Sequence, residues 1–336
     1  MLHRREYLRL VLFLIFLVIL LILLGVCVGR FSFDPRDALG ALWDRLAGNP
    51  INKTMDTVVF VIRIPRILAA LLIGAALAVS GAVYQSVFRN PLVSPDLLGV
   101  SSGASLGAAC AILFGAGIGT IQVYAFCGGI IAVALAVLLP RLLRNSTNLM
   151  MVLSGIIVSS FMNAMLGVLK FIAEERTDLA SIVFWQMGSL TTVSTPRLSA
   201  ITPPILVCGL VVLALSWRLN ILSLGEEEAR TVGINVQRLR GIFIVCASLL
   251  TASAVSVSGT IGWIGLVIPH LGRLLCGSDN TKLLPVTALL GGSFLLVIDT
   301  VARAATSVEI PLSILSGLLG APFYVWLLQR QRAKIL

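Results

Sequence analysis

Residues 63–105 read RIPRILAALLIGAALAVSGAVYQSVFRNPLVSPDLLGVSSGAS, and this stretch decides the fold. Between Arg66 and Arg89 no residue is charged. The run is long enough to cross about 30 Å of hydrocarbon as a helix. Lipid offers no partner to an open sheet edge, so a run of this kind has to be helical. Comparable runs fall at 8–28, 66–87, 97–114, 119–143, 148–172, 198–217, 240–258, 261–276, 283–302 and 311–329. The chain therefore reads as an all-α, polytopic membrane protein of about ten transmembrane helices, a single transmembrane domain over 1–336.

Composition agrees. Of 336 residues 58% are hydrophobic and 12% charged, against about a quarter charged in soluble domains. The formal charge of +10 lies in short clusters between apolar runs, as in cytoplasmic loops of membrane proteins. No aromatic-interleaved basic stripe points to nucleic acid. The first run follows His3-Arg4-Arg5 like a signal peptide, but its length and the lack of a small-residue cleavage site make it a retained helix. Cys27, Cys110, Cys127, Cys208, Cys246 and Cys276 lie in or beside apolar runs and form no metal or redox pair.

Arg89, Arg141, Arg144, Arg218, Arg230, Arg238, Arg240, Arg273, Lys282, Arg330, Arg332 and Lys334 fall on one side of the spans, and Glu174, Glu175, Asp178 and Glu309 on the other. The asymmetry predicts cytoplasmic termini. Arg63, Arg66 and Arg303 break the rule by lying at external helix ends. Gly74, Ala78 and Ala82, and again Gly99, Gly103 and Gly107, recur four apart, a spacing that lets helix backbones approach closely.

Four stretches could carry chemistry. Leu219–Arg240, LNILSLGEEEARTVGINVQRLR, is a long polar interruption. Glu226, Glu227 and Glu228 suit a helix N-terminus, Gly233 breaks that helix, and Asn235 can cap a second short one. The stretch reads as a knob for a soluble partner or as a solvated loop. Arg89–Asp96 holds two prolines that push Asn90 and Ser94 out of the helical region, giving an extended turn. His270 reads as a hydrogen-bonded structural residue rather than a proton carrier. Asp299 and Arg303, four apart, read as an ion pair, although an intramembrane carboxylate always raises a functional question. No phosphate-cradling loop and no catalytic constellation lies in the chain, so an energy source in ATP requires another polypeptide. No metal site and no cofactor is implied.

Together these pieces resemble the iron-chelate/vitamin B12 (FecCD-type) permeases of type II ATP-binding-cassette importers. The resemblance rests on residues 63–105, WQMGSL at 185–190, LGEEEARTVGINV at 224–236, IGWIGLVIPHLGRLLCG at 261–277, IDTVAR at 298–303 and EIPLSILSGLLGAPFYVWLL at 309–328. It implies a homodimer or paralogue pair in the bacterial inner membrane, driven by two cytoplasmic ATPases and fed by an external binding protein. It implies coupling to the ATPase through Leu224, Gly225, Glu226, Glu227, Glu228, Ala229, Arg230, Thr231, Val232, Gly233 and Ile234. Arg63, Arg66 and Arg303 would receive acidic residues of the binding protein, so that reversing Arg63 or Arg66 weakens docking without unfolding. Asn90 and Leu92, with Ser146, Thr147 and Asn148, would form the cytoplasmic gate, and 148–172 and 311–329 would line the pore. Ferric siderophore is the default cargo; haem, cobalamin and molybdate are the alternatives, and an ion-coupled secondary transporter is the rival class. Lys170, Glu174 and Glu175 have no counterpart in the family pattern.

Overall fold

The computed structural model describes residues 3–29, 34, 40, 53–144, 147–231, 233, 235–306 and 308–332. Helices dominate, and no strand occurs among the described residues. They are α1 (Arg4–Cys27), α2 (Ile64–Val87), α3 (Val100–Leu113), α4 (Ile118–Leu142), α5 (Asn148–Ile172), α6 (Ala180–Met187), α7 (Thr195–Ala214), α8 (Ser216–Leu224), α9 (Glu226–Thr231), α10 (Val236–Ser258), α11 (Ile264–Cys276), α12 (Asn280–Ala304) and α13 (Leu312–Arg332). A helical turn and a π-helical segment, Thr57–Arg63, run directly into α2.

Seven of these helices are long and apolar enough to cross a membrane, and three shorter apolar ones accompany them. Each overlaps one of the ten expected runs. The helix count is nevertheless higher than ten: among the described residues twelve reach eight residues or more. The extra two, α6 and α8, are too short to span about 30 Å at 1.5 Å per residue, so no apolar run announced them.

Burial separates an inner set from an outer one. The apolar windows of α2 and α10 are each 78% buried, against 11% for α1 and 28% for α5 and α7. Small residues make the inner set possible. A Cβ on Gly74 would stand 2.3 Å from the Gly291 carbonyl oxygen, and one on Gly291 would stand 2.4 Å from the Gly74 oxygen. The backbones of α2 and α12 thus touch at mid-length. Gly103 and Gly128 bring α3 and α4 together in the same way, each within 2.3 Å of the other's oxygen. Without a hydrophobic force to join helices in lipid, close packing and interhelical hydrogen bonds must do so. Ser80 Oγ accordingly donates to the Ala247 oxygen at 2.8 Å, and Tyr84 and Ser248 share a hydroxyl bond of 2.6 Å, tying α2 to α10.

Gly99 departs from the small-residue face expected of it. It sits at φ +80° ahead of α3, against the Ser159 side chain. The Pro95–Leu98 turn delivers the chain to α3 from the side, and a left-handed residue is needed to make the bend.

Candidate translocation and coupling site

At one end of the bundle, α8 and α9 meet at Gly225. Leu224 is 70% exposed there, an apolar side chain held away from the core, while Ala229 is fully buried and anchors α9. Glu228 is exposed, and the Thr231 hydroxyl donates to its backbone oxygen at 2.7 Å. Gly233 takes φ +78° and ends the helical path, as expected. Asn235 does cap a helix, its side chain accepting from Arg238 N at 3.0 Å. The capped helix is the long α10 rather than a second short one; the second short helix is α8, on the other side of Gly225. The side chains of Glu226, Glu227 and Arg230 and all of Val232 and Ile234 lie outside the described residues.

The expected gate turn lies at the same end. Asn90 accepts from Leu92 N at 2.9 Å, an Asx turn that the following Pro91 favours. Arg89 takes φ +54°, and Leu92 is 59% exposed. Thr147 caps α5 by accepting from Met150 N at 3.3 Å. Asn148 opens that helix with a buried Oδ1 that has no hydrogen-bond partner among the described residues. Ser146 lies outside them. A cleft of about 140 Å³, bordered by Arg89, Asn90, Ser223, Arg273 and Ser278, separates the turn from α8.

A polar network joins these pieces, and sequence reasoning missed it. The Asn220 amide on α8 donates to Asp279 Oδ1 at 2.8 Å. Its oxygen accepts from Asn280 N at 2.7 Å and Asn280 Nδ2 at 2.8 Å. Asn280 Oδ1 in turn accepts from Ser86 Oγ at 3.0 Å. Beside it, Arg273 donates to Gln85 Oε1 at 2.6 Å, and Gln85 Nε2 donates to the Val93 oxygen in the gate turn at 3.2 Å. Asp279 also accepts from Thr281 N at 3.0 Å and so caps α12. Burial works against its carboxylate, but the bonds from Thr281 and Asn220 outweigh this and hold its pKa below the usual range. The legible signal was the pair Asp279-Asn280, a helix-start signature; nothing marked Asn220 as its partner.

The opposite end holds Arg63, Arg66 and Arg303, and here the expectation needs correcting. All three are buried, at 4%, 6% and 7% exposure. Arg66 Nε bonds both Asp299 oxygens at 2.9 and 3.0 Å. Its terminal nitrogens reach Glu309 Oε1 at 3.0 Å and Oε2 at 2.8 Å. Arg303 Nε stands 3.4 Å from Asp299. The four-apart ion pair is therefore present, but Arg66, from a distant helix, is the closer partner. Arg303 also donates to the Gly25 oxygen at 2.8 Å, and Arg63 to the Val26 and Cys27 oxygens. The last carbonyls of a helix attract cations, and these two arginines cap α1. Arg66→Glu would set a third carboxylate beside Asp299 and Glu309, so it cannot be expected to leave the fold intact.

His270 is 7% exposed, with the Tyr324 ring edge-on at 6.2 Å. Glu174 and Glu175 are exposed at the Arg66 end, where Thr177 Oγ1 donates to Glu174 at 3.2 Å.

Comparison with known proteins places this arrangement. The molybdate import permease MolB of Haemophilus influenzae is 40% identical over 302 residues, covering 90% of each chain. A protein of Helicobacter pylori named a probable iron chelatin transport system permease is 45% identical over 281 residues, covering 83% of this chain and 85% of its own. A solved structure described as “an inward-facing conformation of a putative metal-chelate type ABC transporter” is 38% identical, with a TM-score of 0.87 over 96% of this chain and 99% of that one. The model of the FecCD transport family matches residues 17–330, and the chain belongs to that family of ABC importer permeases.

Proposed function

We propose that this permease carries a ferric siderophore across the bacterial inner membrane, handed over by a binding protein and driven by two ATPase subunits that hold the ATP. The observation that carries the coupling role is the knob formed by α8 and α9. It projects exposed Leu224 while anchoring itself through buried Ala229, as a contact that must transmit force requires. This knob then faces the cytoplasm, as do both termini. The Asn90–Leu92 turn and the start of α5, with Ser146 to Asn148, act as the gate. A second copy or a paralogue pairs along α5 and α13, whose apolar side chains Ile156, Phe161, Leu318 and Val325 are exposed in the single chain. The binding protein docks at the Arg66 end, where Glu309, partly exposed, is the most accessible member of the charge network.

The iron chelatin relative supports the cargo. The molybdate relative, with its fuller coverage, supports an oxyanion as the second reading. Reconstitution with the ATPase and binding protein encoded nearby decides between them. Ferric-siderophore uptake that requires ATP and the binding protein supports the first; molybdate uptake alone replaces the cargo. Uptake driven by an ion gradient without ATP overturns the importer reading.

A further inference from the structure

Asn220 turns its amide onto two neighbouring residues of another element. Its nitrogen donates to Asp279 and its oxygen accepts from the backbone N and from Nδ2 of Asn280. Asn280 is 1% exposed, so the inner half of this junction is shielded from water, where a hydrogen bond is stronger and its loss costs more. From Asn280 the bond to Ser86 leads onto the last turn of α2, four residues ahead of Asn90. Neighbouring Gln85 holds the gate turn by the Val93 oxygen. The backbone contact at Gly74 and Gly291 keeps α2 and α12 from sliding past each other. A displacement of α8 is therefore delivered to the start of α12 and to the end of α2 together, and from there to the turn. The cleft between α8 and that turn leaves the space such a movement needs.

We propose that Asn220 is a positioning residue for transport: it is the grip by which the coupling helix α8 moves the Asn90–Leu92 gate turn. The inference rests on the importer reading and adds the route inside the chain. A purely structural cap on α12 would give loss of stability with transport per ATP unchanged. A grip gives the reverse: the assembled complex goes on hydrolysing ATP while import falls behind. Allosteric couplings of this sort change an equilibrium by about 5-fold or more.

The test uses the complex of permease, ATPase and binding protein in liposomes, with uptake and hydrolysis measured on the same vesicles. If the unmodified complex shows no ATP-driven uptake, the importer reading has failed and not this route. With that established, Asn220→Ala should lower substrate imported per ATP by about 5-fold or more. Asn220→Asp should do the same, since two carboxylates then face each other. Combining Asn220→Asp with Asp279→Asn restores donor to acceptor with the roles exchanged, and should restore the ratio. Ser86→Ala cuts the route on α2 without touching the α12 cap, so it serves if Asn220 variants fail to assemble. An unchanged ratio in Asn220→Ala or Ser86→Ala, or no recovery in the assembled exchange variant, overturns the proposal.

Discussion

Asp299→Asn is the perturbation whose size follows most directly from the geometry. The carboxylate is fully buried and receives Arg66 Nε on both oxygens, a terminal Arg66 nitrogen at 2.8 Å, and Arg303 at 3.4 Å. An amide there turns one acceptor into a donor facing guanidinium donors. Removing one partner of a buried pair costs about 3–5 kcal/mol. Glu309 remains on Arg66, so the lower part of that range, about 3 kcal/mol, is expected. Glu309→Gln should cost less, about 1.5–3 kcal/mol, because Glu309 is 23% exposed, so water shares its charge. The double variant Arg66→Met with Asp299→Leu removes this buried pair and should recover part of the loss, because an apolar pair can replace a buried ion pair at little cost, while Arg303 is left without its carboxylate. Unfolding by titrated SDS in mixed micelles, followed by tryptophan fluorescence, gives each value and, with the single variants Arg66→Met and Asp299→Leu, the coupling energy of the cycle. A loss below about 1 kcal/mol for Asp299→Asn, or strict additivity in the double variant, would refute the idea that this pair holds the end of the bundle together.

Two further outcomes can be read with the same titration. Gly291→Ala places a methyl 2.4 Å from the Gly74 oxygen and 2.5 Å from Ala78 Cβ, forcing α2 and α12 apart at a cost of about 1–3 kcal/mol; Gly119→Ala, with nothing within 4 Å, should be near neutral. Asp279 has a depressed pKa in the folded state, so its contribution is complete at neutral pH and is lost as pH falls from about 3.9, the unfolded value, through the folded one. Asp279→Asn keeps a capping side chain and should flatten the acid limb of the stability profile below about pH 4; an unchanged limb removes this assignment.

The helices were legible because hydrocarbon imposes length and apolarity on every span. The knob was legible in part: Gly225 and Gly233 break the helical path, but the length of α8 is set by how Leu219 and Leu222 bury, which has no period of its own. Arg63, Arg66 and Arg303 stood out correctly as exceptions to the charge rule. Their surroundings did not, because the carboxylates and carbonyls that hold them come from the far end of the chain or from the end of α1. A linear pattern can mark an unusual cation; it cannot say which distant residue has already claimed it. Asn220 had even less to mark it, being an ordinary polar residue on a short helix.

The separation of Arg66 from Asp299 in the chain also bears on how the protein is made. Asp299 follows Arg66 by 233 residues, and at about 5–20 residues per second that is a delay on the order of 10–50 s. Throughout it α2 carries a guanidinium without its carboxylate, which must stay at the membrane surface on its long stem. The charge cluster closes only when α12 and Glu309 behind it have arrived, so this end of the bundle assembles late. A chain stopped before residue 299 therefore keeps Arg66 without either of the carboxylates that hold it in the complete fold.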